Sequence, residues 1–356
     1  MSMRKKRFKK TKVFLGAFLC VLFIGIAGII AGNYFHAHFT DLNETDQSIL
    51  KGLDEYHKYT EKQNIWENFN LGNKTILALN TDSGKAYLIN PTANVRSIFA
   101  KEINMPSDYK IKVYRISPLS PQLFQFKFDG NFNTSEKTYK VYGNKIFYTK
   151  YSASSTTNPF SSTHYITFLS HEAFHYYMQK NWADGGTYSV DTMSDEDKEL
   201  LYKEYDILTE IQKALLENTA NQEVFLQYAK EYVDIINQRM EKNPTYVKEE
   251  LERETTEGTA TYIGIKASEI VGYDYGVMYF DNIKEVPFSD LKRTVEAGDY
   301  DKRELADRIP YETGALLCLL MDQLEIPDWQ ETLNSQTRNN TITLNSIISN
   351  FVSNIE

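Results

Sequence analysis

The sequence predicts an α+β protein: an N-terminal transmembrane helix, a small antiparallel sheet, then a mostly helical region. Three observations lead there. Residues 13–30 hold 18 positions without a charge, directly behind a basic run. Residues 74–153 set short β-branched and aromatic runs between turn residues. Beyond 153 the apolar positions recur at helical spacing between Ser, Asn, Gly and Pro breaks.

The expected organisation is a cytoplasmic basic tail at 1–12, a transmembrane anchor at 13–31 and a juxtamembrane stalk with one short helix at 32–73. An antiparallel sheet region at 74–153 and a helical region at 154–356 follow. Composition agrees with a folded body. Of the 356 residues 42% are hydrophobic, and 25 Tyr with 20 Phe can build a large core without disulfide or metal support.

Charge is distributed unevenly. Arg4, Lys5, Lys6, Arg7, Lys9, Lys10 and Lys12 precede the apolar run with no acid among them. Removing those seven from 39 basic residues leaves 32 against 48 acidic ones, a net of −16 beyond position 12. So acidic a body is a poor candidate for nucleic-acid binding, which needs basic surface to neutralise phosphates, and no nucleic-acid partner is expected.

The apolar run is about 27 Å long as a helix, close to the hydrocarbon thickness of a bilayer. Its basic flank predicts a single-pass anchor with the N-terminus cytoplasmic and the remainder extracytoplasmic. The competing reading is a cleaved signal peptide, whose apolar core is usually shorter. Cys20 lies mid-span after Leu19, which does not fit a lipid-modified cysteine. Cys318 falls in the apolar run ALLCLLMDQL and is expected in the core. An exported domain without disulfides fits a bacterial surface better than an endoplasmic-reticulum product.

In the sheet region, ILALN and AYLIN flank a turn at 81–85 with Gly84 where positive φ is wanted. Further strands are expected at 111–116, at FQFKF (124–128), and on either side of Gly143-Asn144. A helix is then expected to reach about Lys180, with Gly185-Gly186 as the break. Ser194 heads a second with an acidic first turn. Others run from about Asn221 to Glu241, where Asn243-Pro244 stops the chain, and from about Tyr246 to Val271. More helix follows at 302–325 and at the C-terminus.

His171-Glu172-Ala173-Phe174-His175 is an HExxH sequence. On a helix the two imidazoles, four residues apart, share a face and can reach one ion. Glu172 lies beside that face and is placed to act as a general base. A catalytic Zn2+ needs a third protein ligand. The metzincin continuation would need Gly at 178 and His at 181, where the chain has Met178 and Asn181. No His follows His175, so a downstream third ligand must be a carboxylate.

Glu254-Thr255-Thr256-Glu257-Gly258-Thr259-Ala260-Thr261-Tyr262 supplies candidates. The HExxH helix with this segment resembles the gluzincin metallopeptidases, and EGTATY is similar to the EGxxxY segment of the aminopeptidase-like branches. That resemblance covers two short motifs. It implies Zn2+ as cofactor, Glu257 as the third metal ligand and a zincin-like catalytic region. Glu254, one turn earlier, is the alternative ligand. Gly258, Ala260, Thr261 and Gly264 offer a small-residue surface for close approach to the HExxH helix. Eighty-one residues separate His175 from Glu257, enough for two additional helices. Thermolysin-like members orient a histidine with an Asp at the position of Thr261, whose hydroxyl would serve more weakly.

An oxyanion donor is also required. The aminopeptidase-like branches use a Tyr, and Tyr311, following Pro310 at a helix start, is the candidate. Arg308 is expected either to bind a substrate carboxylate or to pair with Asp307. The function expected is a membrane-anchored extracytoplasmic zinc metallopeptidase acting on a peptide or protein substrate. The alternatives are a non-catalytic surface binding protein and a zinc amidase acting on cell-wall peptides.

Overall fold

The computed structural model describes residues 2–134, 136–186, 188–217, 220–280 and 282–355, with side chains from residue 14 onward. The side chains of the basic 1–12 segment therefore lie outside the described residues. The chain divides into two compact units: residues 1–54 with 73–153, and residues 55–72 with 154–356. The molecule is a mixed α and β protein with one N-terminal apolar helix.

That helix, α1 (Ser2–Phe35), is long and apolar enough to cross a membrane from Phe14 to Phe35, and none of its most apolar 18-residue stretch is buried. Its end is tied down by a buried cation. Arg115 donates from Nε to Asn33 Oδ1 at 2.9 Å and from its terminal nitrogen to Asn33 O at 2.8 Å. A guanidinium at the carbonyl end of a helix meets both its free acceptors and its dipole.

Helix α2 (Glu44–Thr60) follows. The 32–73 stretch is thus not a solvated stalk: Ile49, Leu50, Leu53 and Tyr56 are core residues. Asp46 on α2 is buried and accepts from Asn80 Nδ2 (2.7 Å), Tyr87 Oη (2.6 Å) and Tyr151 Oη (2.6 Å), the satisfaction a buried carboxylate requires.

Six strands form one sheet: β1 (Ile76–Asn80), β2 (Ala86–Ile89), β3 (Ala100–Glu102), β4 (Val113–Ile116), β5 (Tyr139–Val141) and β6 (Asn144–Tyr151), in the order β3-β4-β2-β1-β6-β5. The β1–β2 turn carries Gly84 at φ +67°, as expected. The expected all-antiparallel sheet is corrected at its centre, where β1 and β6 run parallel with Ile76 opposite Phe147. The intervening 60-odd residues are several times the dozen or so that a crossover needs. Both β1 and β2 are buried throughout, so they show no alternation.

FQFKF is not a strand. It lies in a 3-10 helix, Pro121–Lys127, headed by Ser120, whose hydroxyl accepts from Gln122 N. Leu123 and Phe126 are buried while Phe124 and Phe128 are exposed, a spacing of three instead of two.

The second unit is helical: α3 (Ser154–Thr157), α4 (Tyr165–Tyr177), α5 (Asp195–Glu217), α6 (Gln222–Lys242), α7 (Pro244–Ile270), α8 (Asp290–Glu296), α9 (Glu304–Asp307), α10 (Ile309–Gln323), α11 (Trp329–Asn334) and α12 (Leu344–Ile355). Ser194 and Asp197 form a reciprocal cap at the start of α5, each side chain accepting from the other's amide. Asn243 closes α6 and caps α7, accepting from Tyr246 N at 3.3 Å.

Helix α7 is the axis of this unit, packed by α4 and by α10. The small residues expected to face the HExxH helix divide between two neighbours. A Cβ on Gly258 would lie 2.3 Å from Gly314 Cα on α10, and one on Gly314 would lie 2.1 Å from Glu254 O. Gly264 abuts α4, where an added Cβ would lie 3.2 Å from Thr167 O. Two glycines at one crossing let α7 and α10 approach backbone to backbone, which brings Tyr311 beside the α7 carboxylates.

Candidate metal centre

His171 and His175 project from one face of α4, and Glu257 meets them from α7. Their Nε2 atoms are 3.0 Å apart. Glu257 Oε2 lies 3.5 Å from His171 Nε2 and 3.1 Å from His175 Nε2. A tetrahedral ion with bonds of about 2.0–2.2 Å holds its ligand atoms about 3.3–3.6 Å apart; one edge of this triangle falls in that range and the other two are slightly shorter, and the three donors could hold a metal ion. All three side chains are half-buried, shielded yet reachable.

Glu254 does not join them. It is buried among α6, α7 and α10, where Tyr232 Oη donates to its Oε2 at 3.3 Å. Three residues along a helix turn a side chain by about 300°, enough to part the two glutamates.

The polar surroundings of the two histidines differ. Burial lowers the His171 pKa, the Glu257 hydrogen bond opposes that, and the charges of His175 and Arg308 add to the lowering. Burial acts on His175 in the same direction, but Glu257, Glu172 and Gln179 overcome it and raise its pKa. Burial alone would raise Glu257; the two imidazoles reverse this and hold the carboxyl well below the usual range. Glu172 is pushed up to about 7 by burial, with the charge of Glu257 adding to the rise and His175 opposing it. A carboxyl poised near neutrality can accept and return a proton.

Gln179 is a residue that the sequence reading misses. It is four residues beyond His175, on the same α4 face extended past the helix end. Its Nε2 donates to Thr256 O at 2.8 Å and to Thr259 Oγ1 at 2.7 Å, both on α7. With both amide protons taken, its Oε1 can only face His175 Nδ1, and the two are hydrogen-bonded. That bond places the His175 proton on Nδ1 and leaves Nε2 as the free lone pair aimed at the triad. The orienting role expected at Thr261 therefore falls to Gln179. The i, i+4, i+8 spacing of 171, 175 and 179 was the available signal.

Tyr311 lies beside His171. Its ring stacks parallel to His171, with centroids 5.9 Å apart and planes 3° from parallel. Burial first, and the charge of the Glu257 carboxylate next, raise the pKa of its hydroxyl, so it remains a phenol and a donor. Arg308 pairs with Glu312 at 3.1 Å, not with Asp307. Tyr262 packs against Trp66 and Trp329 and donates to Asp322 Oδ2 at 2.7 Å, a core position.

Comparison with family models, with curated proteins and with solved structures finds no match for this chain.

Proposed function

We propose that this chain is a zinc-dependent metallopeptidase held to a membrane by α1, with its C-terminal units extracytoplasmic. One observation carries the reading. Two imidazole nitrogens and a carboxylate oxygen converge within 3.0–3.5 Å of one another, beside a glutamate whose pKa is pushed up to about 7.

His171, His175 and Glu257 would hold the ion, which when bound supplies a Lewis acid and an acidified water. Glu172 takes the proton from the water that attacks the scissile carbonyl and passes it to the amine as the C–N bond breaks. The Tyr311 phenol donates to the carbonyl oxygen as charge develops there. Gln179 keeps the His175 lone pair directed inward. The basic flank at 4–12 supports a cytoplasmic N-terminus.

The test is metal content of the purified full-length chain in detergent, with peptide hydrolysis followed in parallel. About one zinc per chain, lost in His171→Ala and Glu257→Ala but retained in Glu172→Gln, is expected. Turnover should fall at least roughly a hundredfold in Glu172→Gln. Turnover that survives that change rejects the mechanism. A chain that binds no zinc in chelator-free buffer rejects the reading altogether.

A further inference from the structure

Arg253 precedes Glu257 by one turn of α7, and residues at that spacing share a helix face. Its guanidinium carbon lies 5.7 Å from the centre of the Tyr188 ring. Tyr188 is itself held, donating from its hydroxyl to Ala306 O at 2.9 Å. The chain also packs tightly on the base of Arg253 at Gly185, where a Cβ would lie 2.5 Å from Glu249 O and 2.9 Å from Arg253 N. Arg253 is therefore a positioned, half-buried side chain.

It lacks the partner such a side chain normally has. Its Nε is buried without a hydrogen bond, and among the described residues no carboxylate lies within ion-pair distance of it. The two acids one turn away on either side are engaged elsewhere. Glu249 accepts from Gly186 N, and Glu257 faces the two histidines. Arg308, also near the triad, is different: its charge is matched by Glu312, which is fully buried and also accepts from Met278 N at 2.7 Å. Of these two guanidiniums, one is neutralised and the other stands open.

We propose that Arg253 anchors a substrate carboxylate, so that the site takes peptides carrying an anionic group close to the bond that is cleaved. The proposal rests on the peptidase reading of that site and adds the substrate class. The carboxylate is either the C-terminus of a short peptide or an Asp or Glu side chain. A forked guanidinium can bind either through paired hydrogen bonds, and the ligand then completes the hydrogen bonding that the protein leaves unmade.

Binding tests this independently of turnover. Three fluorescein-labelled peptides share one neutral sequence: the first ends in a free carboxylate, the second in an amide, and the third is the amide with one residue replaced by Asp. Fluorescence anisotropy is read on the full-length zinc-loaded chain in detergent, in the Glu172→Gln background so that peptides persist. At least one carboxylate-bearing peptide should bind roughly tenfold or more tighter than the neutral amide. The arm that does so identifies the source of the carboxylate. Arg253→Met should abolish the preference with zinc content unchanged, and Arg253→Lys should keep part of it, since charge survives without the fork. Equal binding of all three peptides, no binding by any, or a preference that outlasts Arg253→Met would overturn the proposal. Hydrolysis by the chain with Glu172 intact is scored separately. A carboxylate preference without hydrolysis keeps the anchor and rejects the peptidase, whereas hydrolysis without the preference does the reverse.

Discussion

Replacing Gln179 with Leu removes two functions of one amide, and the structure permits each to be sized. The first is orientation. Gln179 Oε1 holds the His175 Nδ1 proton, and loss of such a partner to a metal-ligating histidine typically costs about 10–100-fold in metal affinity. The second is packing. Two buried bonds from Nε2 to Thr256 O and Thr259 Oγ1 disappear, at about 0.5–1.5 kcal/mol each, so the metal-free protein should lose on the order of 1–3 kcal/mol. Gln179→Glu separates the two. Its carboxylate still accepts from His175, while the donors to α7 are lost and a negative charge faces Thr256 O. Affinity should therefore stay within a few-fold of the parent, although stability falls as far as in Gln179→Leu or further. Zinc affinity is read by titration against a chromophoric chelator, and stability by urea unfolding in excess chelator. Gln179→Leu binding zinc as tightly as the parent would refute the reasoning. So would Gln179→Glu losing affinity to the same extent as the leucine variant.

Three further perturbations have definite expectations. Gly314→Ala sets a Cβ 2.1 Å from Glu254 O where ordinary contact is 3.4–4 Å, so α10 must retreat from α7; overpacking of about 1–3 kcal/mol is expected in denaturant unfolding, with weakened stacking of Tyr311 on His171. Arg239 is buried between Glu204 and Glu250, and Arg239→Met leaves two uncompensated carboxylates; the loss should reach about 3–5 kcal/mol by thermal unfolding, and a triple replacement of all three by apolar residues should recover much of it. Glu254 is raised from 4.5 to about 8, chiefly by burial and then by the charge of Glu204. Because the folded state holds this proton more tightly, its stabilising contribution is complete below pH 4.5 and is lost as pH rises toward 8. Glu254→Gln should therefore gain on the parent by up to about 1.4 kcal/mol per pH unit across that window, and a stability difference that does not change with pH refutes the assignment.

The architecture was legible wherever the determining interaction is local. The cap at Ser194, the stop of α6 at Asn243, the positive-φ turn at Gly84 and the long uncharged run of α1 depend on neighbours in sequence, and each is found at its expected place. The HExxH spacing is of the same kind, since helical periodicity alone sets His171 and His175 on one face. Where the burial partner is distant, the reading failed. Alternation in FQFKF suggested a strand, but Ser120 and Pro121 start a 3-10 turn, and only Leu123 and Phe126 meet the core. The three-residue strand β3 is too short to carry a period, and β1 pairs in parallel with β6, a strand more than 60 residues further along the chain.

At the candidate centre the division is sharper. Glu254 and Glu257 are both acidic positions on one helix, and nothing local separates them. Which of the two meets the histidines depends on how α7 is rotated against α4 and α10, and that rotation is set by the Gly258–Gly314 crossing. Gln179 lay in plain view at the right spacing, but its role arises only because two acceptors on α7 claim its amide protons. Arg253 likewise became informative through what its neighbours do with their carboxylates. Sequence by itself determined the donor types and their helical spacing, because these follow from backbone geometry within one turn. Tertiary packing decided which carboxylate meets the histidines, which amide reaches His175 and which arginine is left without an acidic partner, because those outcomes depend on the rotation and separation of helices far apart in the chain.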